Sequence, residues 1–253
     1  MFRDTDFMQL ERNYHFEVAA GKVAGARNHT VFANVINVAA ATPMLAWELQ
    51  IPYVFQTVAV ALELVSSSAA DTAAGTGARS IVVTTLDEDY NEVVSVVTPN
   101  GTTPVAIPGT HLHHNNSIVI ASGSGLTNTG NITIRTVVGA VAQGYIAAGI
   151  GVSRQGLYTV PAGMIFMAHN FFFCHAVLGV TTGGVQFKPF LRFPNGTIFQ
   201  GIWQNLNSNG IVPITLNDPF TVSEKLTFGY NLDGATTATG TFAFGTTGVL
   251  RNA

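Results

Sequence analysis

The stretch SSSAADTAAGTGARSIVV, Ser66 to Val83, decides how the chain is read. Its glycine-rich GTGAR has the look of a phosphate-cradling loop, but such a loop opens a helix and in its common nucleotide form carries Lys followed by Ser or Thr. Here Gly75 and Gly77 are followed by Ala78, Arg79 and then Ser80-Ile81-Val82-Val83-Thr84-Thr85. A β-branched run of this kind is a strand. The glycines therefore read as a connection between strands, with Gly75 and Gly77 expected at backbone angles other residues avoid and Arg79 expected to cap or pair with a neighbouring segment.

The same grammar extends in both directions. YVFQTVAVALELV, EVVSVVT, SIVIAS and NITIRTVV are further candidate strands; in the last, Ile132 and Ile134 share one face and Thr133 and Arg135 the other. Turn chemistry separates them at Asn100-Gly101, Asn115-Asn116, Gly123-Ser124-Gly125 and Asn128-Thr129-Gly130. A second run begins near Gly156, where Val185, Phe187, Leu191 and Phe193 alternate with Gln186, Lys188 and Arg192. Short strands with turns every 8–12 residues or so read as a sandwich or barrel. The expectation is an all-β protein with two tandem antiparallel β-sandwich (jelly-roll-like) domains, over 41–153 and 154–253, preceded by an extended N-terminal arm over 1–40 that docks on another surface.

Composition narrows the partners. Of 253 residues, 47% are hydrophobic and only 10% charged, against about 25% charged in an average soluble protein. A formal net charge of −3 offers no basic stripe, which argues against nucleic acid and against an anionic membrane surface. The charged start, with Arg3, Asp4, Asp6, Glu11 and Arg12, is unlike a signal peptide. No uninterrupted apolar run is long enough for a membrane span; Val137–Val152 is broken by Gln143 and can supply a strand instead. Cys174 stands alone, so no internal disulfide forms, and among the phenylalanines of MAHNFFFCHAV it reads as a small hydrophobe.

Few residues offer chemistry. His111-Leu112-His113-His114 is the one histidine cluster; on a strand His111 and His113 would share a face and are the candidate metal ligands, with three copies around an axis completing the set. The alternative is histidines at a surface or interface near the Asn115-Asn116 turn. Leu86-Asp87-Glu88-Asp89-Tyr90-Asn91-Glu92 concentrates acids but lacks the glycine and bidentate Glu of a helical calcium loop, so it reads as a solvated turn. No nucleophile elbow is present, and no catalytic residue or cofactor is assigned. Trp47 and Trp203 could stack on a sugar, though core positions suit them as well. Asn28, Asn100, Asn115, Asn131 and Asn195 open glycosylation-type triplets that read as turn asparagines.

The segment from Thr42 to Val105 resembles a family of virion proteins of tailed bacteriophages. The resemblance rests on the lead-in with Trp47, the SSSAxDTAxGTGAR string at Ser66–Arg79, the LDxxYNE turn at Leu86–Glu92 and the NGTTPV strand at Asn100–Val105. SGSGLTNTGNITI and LYTVPAG are similar too, so that it spans roughly residues 17–163. The segment VFANVINVAAATPML departs from it, relatives carrying a more charged, asparagine-rich stretch there. The resemblance implies a structural role as head fibre, decoration or tail-associated protein, with no catalytic residues. The low charge and high hydrophobic content leave too few ionic groups to cover a monomer, so self-association as a homotrimer is expected; other virion proteins such as the major capsid or tail proteins are expected partners, with a host surface glycan as a further candidate. A glycan-binding module or glycan-active enzyme is the alternative from another class.

Overall fold

The computed structural model describes residues 14, 16–36, 44–177, 185–201, 204–206, 210–234 and 240–253. Among them, apart from a helical turn at residues 16–19, the chain is all-β, forming four antiparallel sheets. The strands are β1 (Ala26–Ile36), β2 (Met44–Leu45), β3 (Val60–Ser66), β4 (Ala78–Leu86), β5 (Glu92–Val97), β6 (Val105–His111), β7 (His113–Ser122), β8 (Ile132–Thr136) and β9 (Ala142–Ile146). Then follow β10 (Leu157–Thr159), β11 (Met164–Val177), β12 (Val185–Arg192), β13 (Ile198–Gln200), β14 (Gln204–Leu206), β15 (Gly210–Val222), β16 (Thr227–Gly234) and β17 (Gly240–Asn252). Among the described residues no helix is long and apolar enough to cross a membrane.

The N-terminal half holds a sheet of order β6-β3-β8-β9 and one of order β5-β4-β7. Alternation explains their shared core: Leu62 and Leu64 of β3, Ile81 and Val83 of β4, and Ile132 and Ile134 of β8 point to one interior, with Val97, Ile107 and Ile146 beside them. Pro108 falls in β6, which pairs only with β3, so its missing N–H faces the free edge.

The C-terminal half holds a sheet of order β1-β17-β11-β15 and one built on β10-β16-β12-β13, with β14 and β2 attached. Its core is aromatic, with Phe166, Phe173, Phe187, Phe228, Tyr230, Phe242 and Phe244 buried together. Pro213 and Pro219 lie in β15, again an edge strand.

Residues expected as an arm over 1–40 include β1, which is extended but runs the full length of β17, from Ala26 opposite Arg251 to Ile36 opposite Thr241. Likewise Met44 and Leu45 pair with β16 rather than with the strands that follow them. The alternation read in β12 also needs correction. Its polar face is covered: Lys188 and Arg192 are buried with Phe190, and the Arg192 guanidinium lies 4.5 Å over the Phe55 ring. Phe193, just past the end of the strand, is exposed.

The halves meet at a third cluster, where Leu45, Trp47, Leu157 and Phe190 pack with Tyr53 and Phe55. Polar braces cross the same junction. Asn115 Nδ2 donates to the Thr159 carbonyl at 2.8 Å and its Oδ1 accepts from Thr159 N at 3.0 Å, while Ala162 N donates to the Tyr90 carbonyl at 2.9 Å.

Candidate functional site

The glycine-rich stretch closes around one carboxyl group. Asp71 is fully buried, and its Oδ1 accepts from Ala78 N at 2.7 Å and Thr129 N at 2.8 Å. Its Oδ2 accepts from Gly130 N at 2.9 Å and from the Ser66 hydroxyl at 2.5 Å. Four donors from three segments thus converge on one side chain, which is how a buried acid avoids the cost of lost hydration. Arg79 folds back over the loop, its Nε donating to the Gly75 carbonyl at 2.9 Å.

The glycines serve this knot by being small. Neither Gly75 nor Gly77 has a positive φ, which corrects the expectation of unusual backbone angles. A Cβ on Gly75 would stand 1.9 Å from the Ala70 carbonyl oxygen, and one on Gly77 would stand 2.0 Å from Asp71 Oδ1. Neighbouring turns are held by their own bonds. Gly101, at φ 59°, donates its N–H to the Asp71 carbonyl at 2.7 Å and accepts at its own carbonyl from Ser66 N at 3.0 Å. Asp87 holds the LDEDYNE turn to itself, accepting from Asp89 N, Asn91 N and Asn91 Nδ2. No group of three metal-binding side chains gathers among the described residues.

The histidines stand at a corner, not on one strand face. His111 ends β6, opposite Val60, and His113 begins β7, opposite Leu86, so Leu112 is where the chain passes from one sheet to the other. All three rings are buried, and Asn115-Asn116 lies within β7 rather than in a turn. His111 Nδ1 meets the Thr85 hydroxyl at 2.8 Å, and the His113 ring lies 5.6 Å from that of Tyr90. Burial lowers the pKa of His111, and brings those of His113 and His114 down to about 4.

His114 carries an arrangement that sequence reading missed. Its Nε2 is 2.7 Å from Ser117 Oγ and its Nδ1 is 3.2 Å from Gln155 Oε1. Because an amide oxygen only accepts, Nδ1 holds the proton, and Ser117 donates to Nε2. This is the connectivity of a nucleophile, a base and an orienting group. Its surroundings oppose that use: Ser117 is fully buried, Gln155 lacks the charge that would steady an imidazolium, and a ring titrating near 4 is a weak base. It braces the core instead, fitted against Gly144, where any Cβ would stand 2.5 Å from the ring. Residues 117 and 155 are ordinary in sequence, and only the fold joins them.

The remaining candidates are structural as well. Trp47 is buried, with Nε1 donating to the Ile51 carbonyl at 2.8 Å, so it offers no platform for a sugar; Trp203 lies outside the described residues. Cys174 sits within β11, paired with Ile211 and Ala243. Among the glycosylation-type asparagines, Asn115 is the buried junction brace, and Asn131 and Asn195 accept from Ala148 N and Thr197 N.

A surface feature stands apart from these. On the outer face of the β5-β4-β7 sheet, Val96, Val82 and Ile118 align in one row across the three strands. Val94 and Val96 are 59% and 64% exposed, and Ile118 and Ile120 are 40% and 55% exposed. Among the described residues β5 pairs through one edge only, leaving the other edge's N–H and C=O groups free of a ladder. A β-branched, unpaired edge beside an apolar face is a surface that recruits another chain.

Comparison with known proteins adds little to this geometry. No family model and no curated protein matches the chain. Among solved structures, that of the infectious bursal disease virus Gx strain is 9% identical over 90% of this chain and 72% of that one, with a TM-score of 0.22. The VP2 subviral particle of the same virus gives 9% identity, 90% and 71% coverage and the same TM-score. These are weak likenesses to virus-particle structures, at a level that does not establish a common fold.

Proposed function

We propose that this chain is a non-enzymatic structural protein of a tailed-phage particle, a capsid decoration or head-fibre protein on the exterior that assembles as a homotrimer. In this reading each pair of sheets is one sandwich of a tandem, and the particle holds the chain through its N-terminal portion. The observation that carries it is the apolar outer face of β5-β4-β7 with its unpaired β5 edge, a surface suited to burial in an assembly. The phage-like string supports it further, because its motifs tie together the Asp71 knot and the turns beside it rather than lining a reaction site. Light scattering of the purified chain is expected to give a trimer at micromolar concentration. The double variant Val96→Lys with Ile118→Lys should release folded monomers with an unchanged circular dichroism spectrum. A wild-type monomer under these conditions would overturn the assembly. Labelling the chain in purified particles, with density on the head surface expected, separates decoration from a tail role.

A further inference from the structure

The C-terminal half is incompletely packed. Between its two sheets lies a cavity of about 460 Å³ lined by eight phenylalanines. Phe166, Phe187 and Tyr230 form its floor and are fully buried. Its mouth is flanked by Phe199 of β13 and Phe220 of β15, 64% and 43% exposed, where both sheets end in strands that, among the described residues, pair on one side only. The walls are held by ring contacts, with Phe166 stacked on Phe228 at 5.2 Å between centroids and Phe173 edge-on to Phe187 at 4.2 Å.

The lining also states what it would admit. No charged side chain lines it among the described residues, and its two hydroxyls, those of Tyr230 and Thr246, are hydrogen-bonded to each other. That bond uses one of their two O–H donors, and with no charged side chain in the lining an ion entering would lose its hydration without gaining a counter-charge. Water has equally little reason to stay, since it needs two to four polar partners. The volume lies within the range of about 300–1,000 Å³ typical of small-molecule sites.

We infer that this cavity is a binding site for a neutral, apolar small molecule with an aromatic or alkyl body, entering between Phe199 and Phe220. This function is separate from assembly through the β5-β4-β7 face, on the other half of the chain. Calorimetry and thermal melting with naphthalene, decan-1-ol and the equally long decanoate anion test it. Naphthalene and decan-1-ol should bind saturably at one per chain and raise the melting temperature, with decanoate at least tenfold weaker. Ala168→Leu, which fills the cavity from β11, should weaken binding at least tenfold while the ligand-free protein melts no lower. Phe199→Ala, at the exposed mouth, should weaken binding several-fold with folding unchanged, and it decides alone if Ala168→Leu does not fold. Absence of uptake, decanoate binding as well as decan-1-ol, or unchanged affinity in the deciding variant would overturn the proposal. So would a Phe199→Ala chain that loses its assembly while taking up naphthalene unaltered, because the concavity would then be a seat for another copy.

Discussion

The two halves solve the same problem with different side chains. The N-terminal core is aliphatic, built from Leu62, Leu64, Ile81, Val83, Ile132, Ile134 and their neighbours on strands of five to ten residues. The C-terminal core is aromatic, and β11, β15 and β17 run for 13 or 14 residues each. Branched aliphatic side chains on short strands interlock closely but bury little area per strand, so the loops must be tied as well. Asp71 does that, drawing Ser66, Ala78, Thr129 and Gly130 to one point. Large flat rings bury more area each, but they fill space unevenly, and a cavity remains between Phe166 and Phe220. One half is closed by polar bonds at its loops, the other held by long ladders and ring contacts.

Breaking the tie should therefore act on one half first. Asp71→Ala removes the acceptor of four hydrogen bonds and leaves Ala78, Thr129 and Gly130 N–H groups unpaired, a cost expected at about 4 kcal/mol. Urea unfolding followed by hydrogen exchange should show β3, β4 and β8 losing protection while β11 and β17 keep theirs. Equal loss in both halves would show that the knot supports the whole molecule rather than its N-terminal part.

Acid should separate the halves next. His114 titrates near 4 when folded and near 6.5 when unfolded, so protons favour the unfolded chain. Its contribution is complete above about pH 6.5 and is lost as pH falls through 4, a loss of roughly 3 kcal/mol for this one ring. Urea midpoints measured from pH 7.5 to 4 should fall steeply in the wild type and less steeply in His114→Gln. Parallel curves would place the acid sensitivity elsewhere, with His113 in the same half and His29 in the C-terminal half, both also lowered to about 4, the candidates.

The smallest effect sharpens the account of the loop. Arg79→Ala removes a bond to the Gly75 carbonyl at an exposed position, for which about 0.5–1 kcal/mol is expected. Millimolar phosphate or nucleotide should leave the melting temperature of both proteins unchanged. A saturable rise lost in Arg79→Ala would reopen the phosphate-loop reading.

Much of the strand pattern was legible in local sequence. The β-branched runs over 80–86 and 92–97, and the alternation of Ile132 and Ile134 with Thr133 and Arg135, mark β4, β5 and β8 because a pleated strand sends neighbours to opposite faces. Asn100-Gly101 marks a turn because glycine tolerates the φ of 59° found there. Asn115-Asn116 misleads for the same local reason: asparagine favours turns, yet here the Thr159 backbone satisfies Asn115 within a strand.

By itself, then, the sequence determined an all-β chain with strands and turns at the places named, and a low-charge surface without a basic stripe. Tertiary structure decided the rest. That β1 lies against β17, that the Arg192 guanidinium lies over Phe55, that His111 and His113 part at a corner, and that His114 connects to Gln155 all depend on pairings between residues far apart in the chain. Side-chain periodicity records which face of a strand is apolar, whereas the partner laid against that face is chosen by packing over the whole molecule.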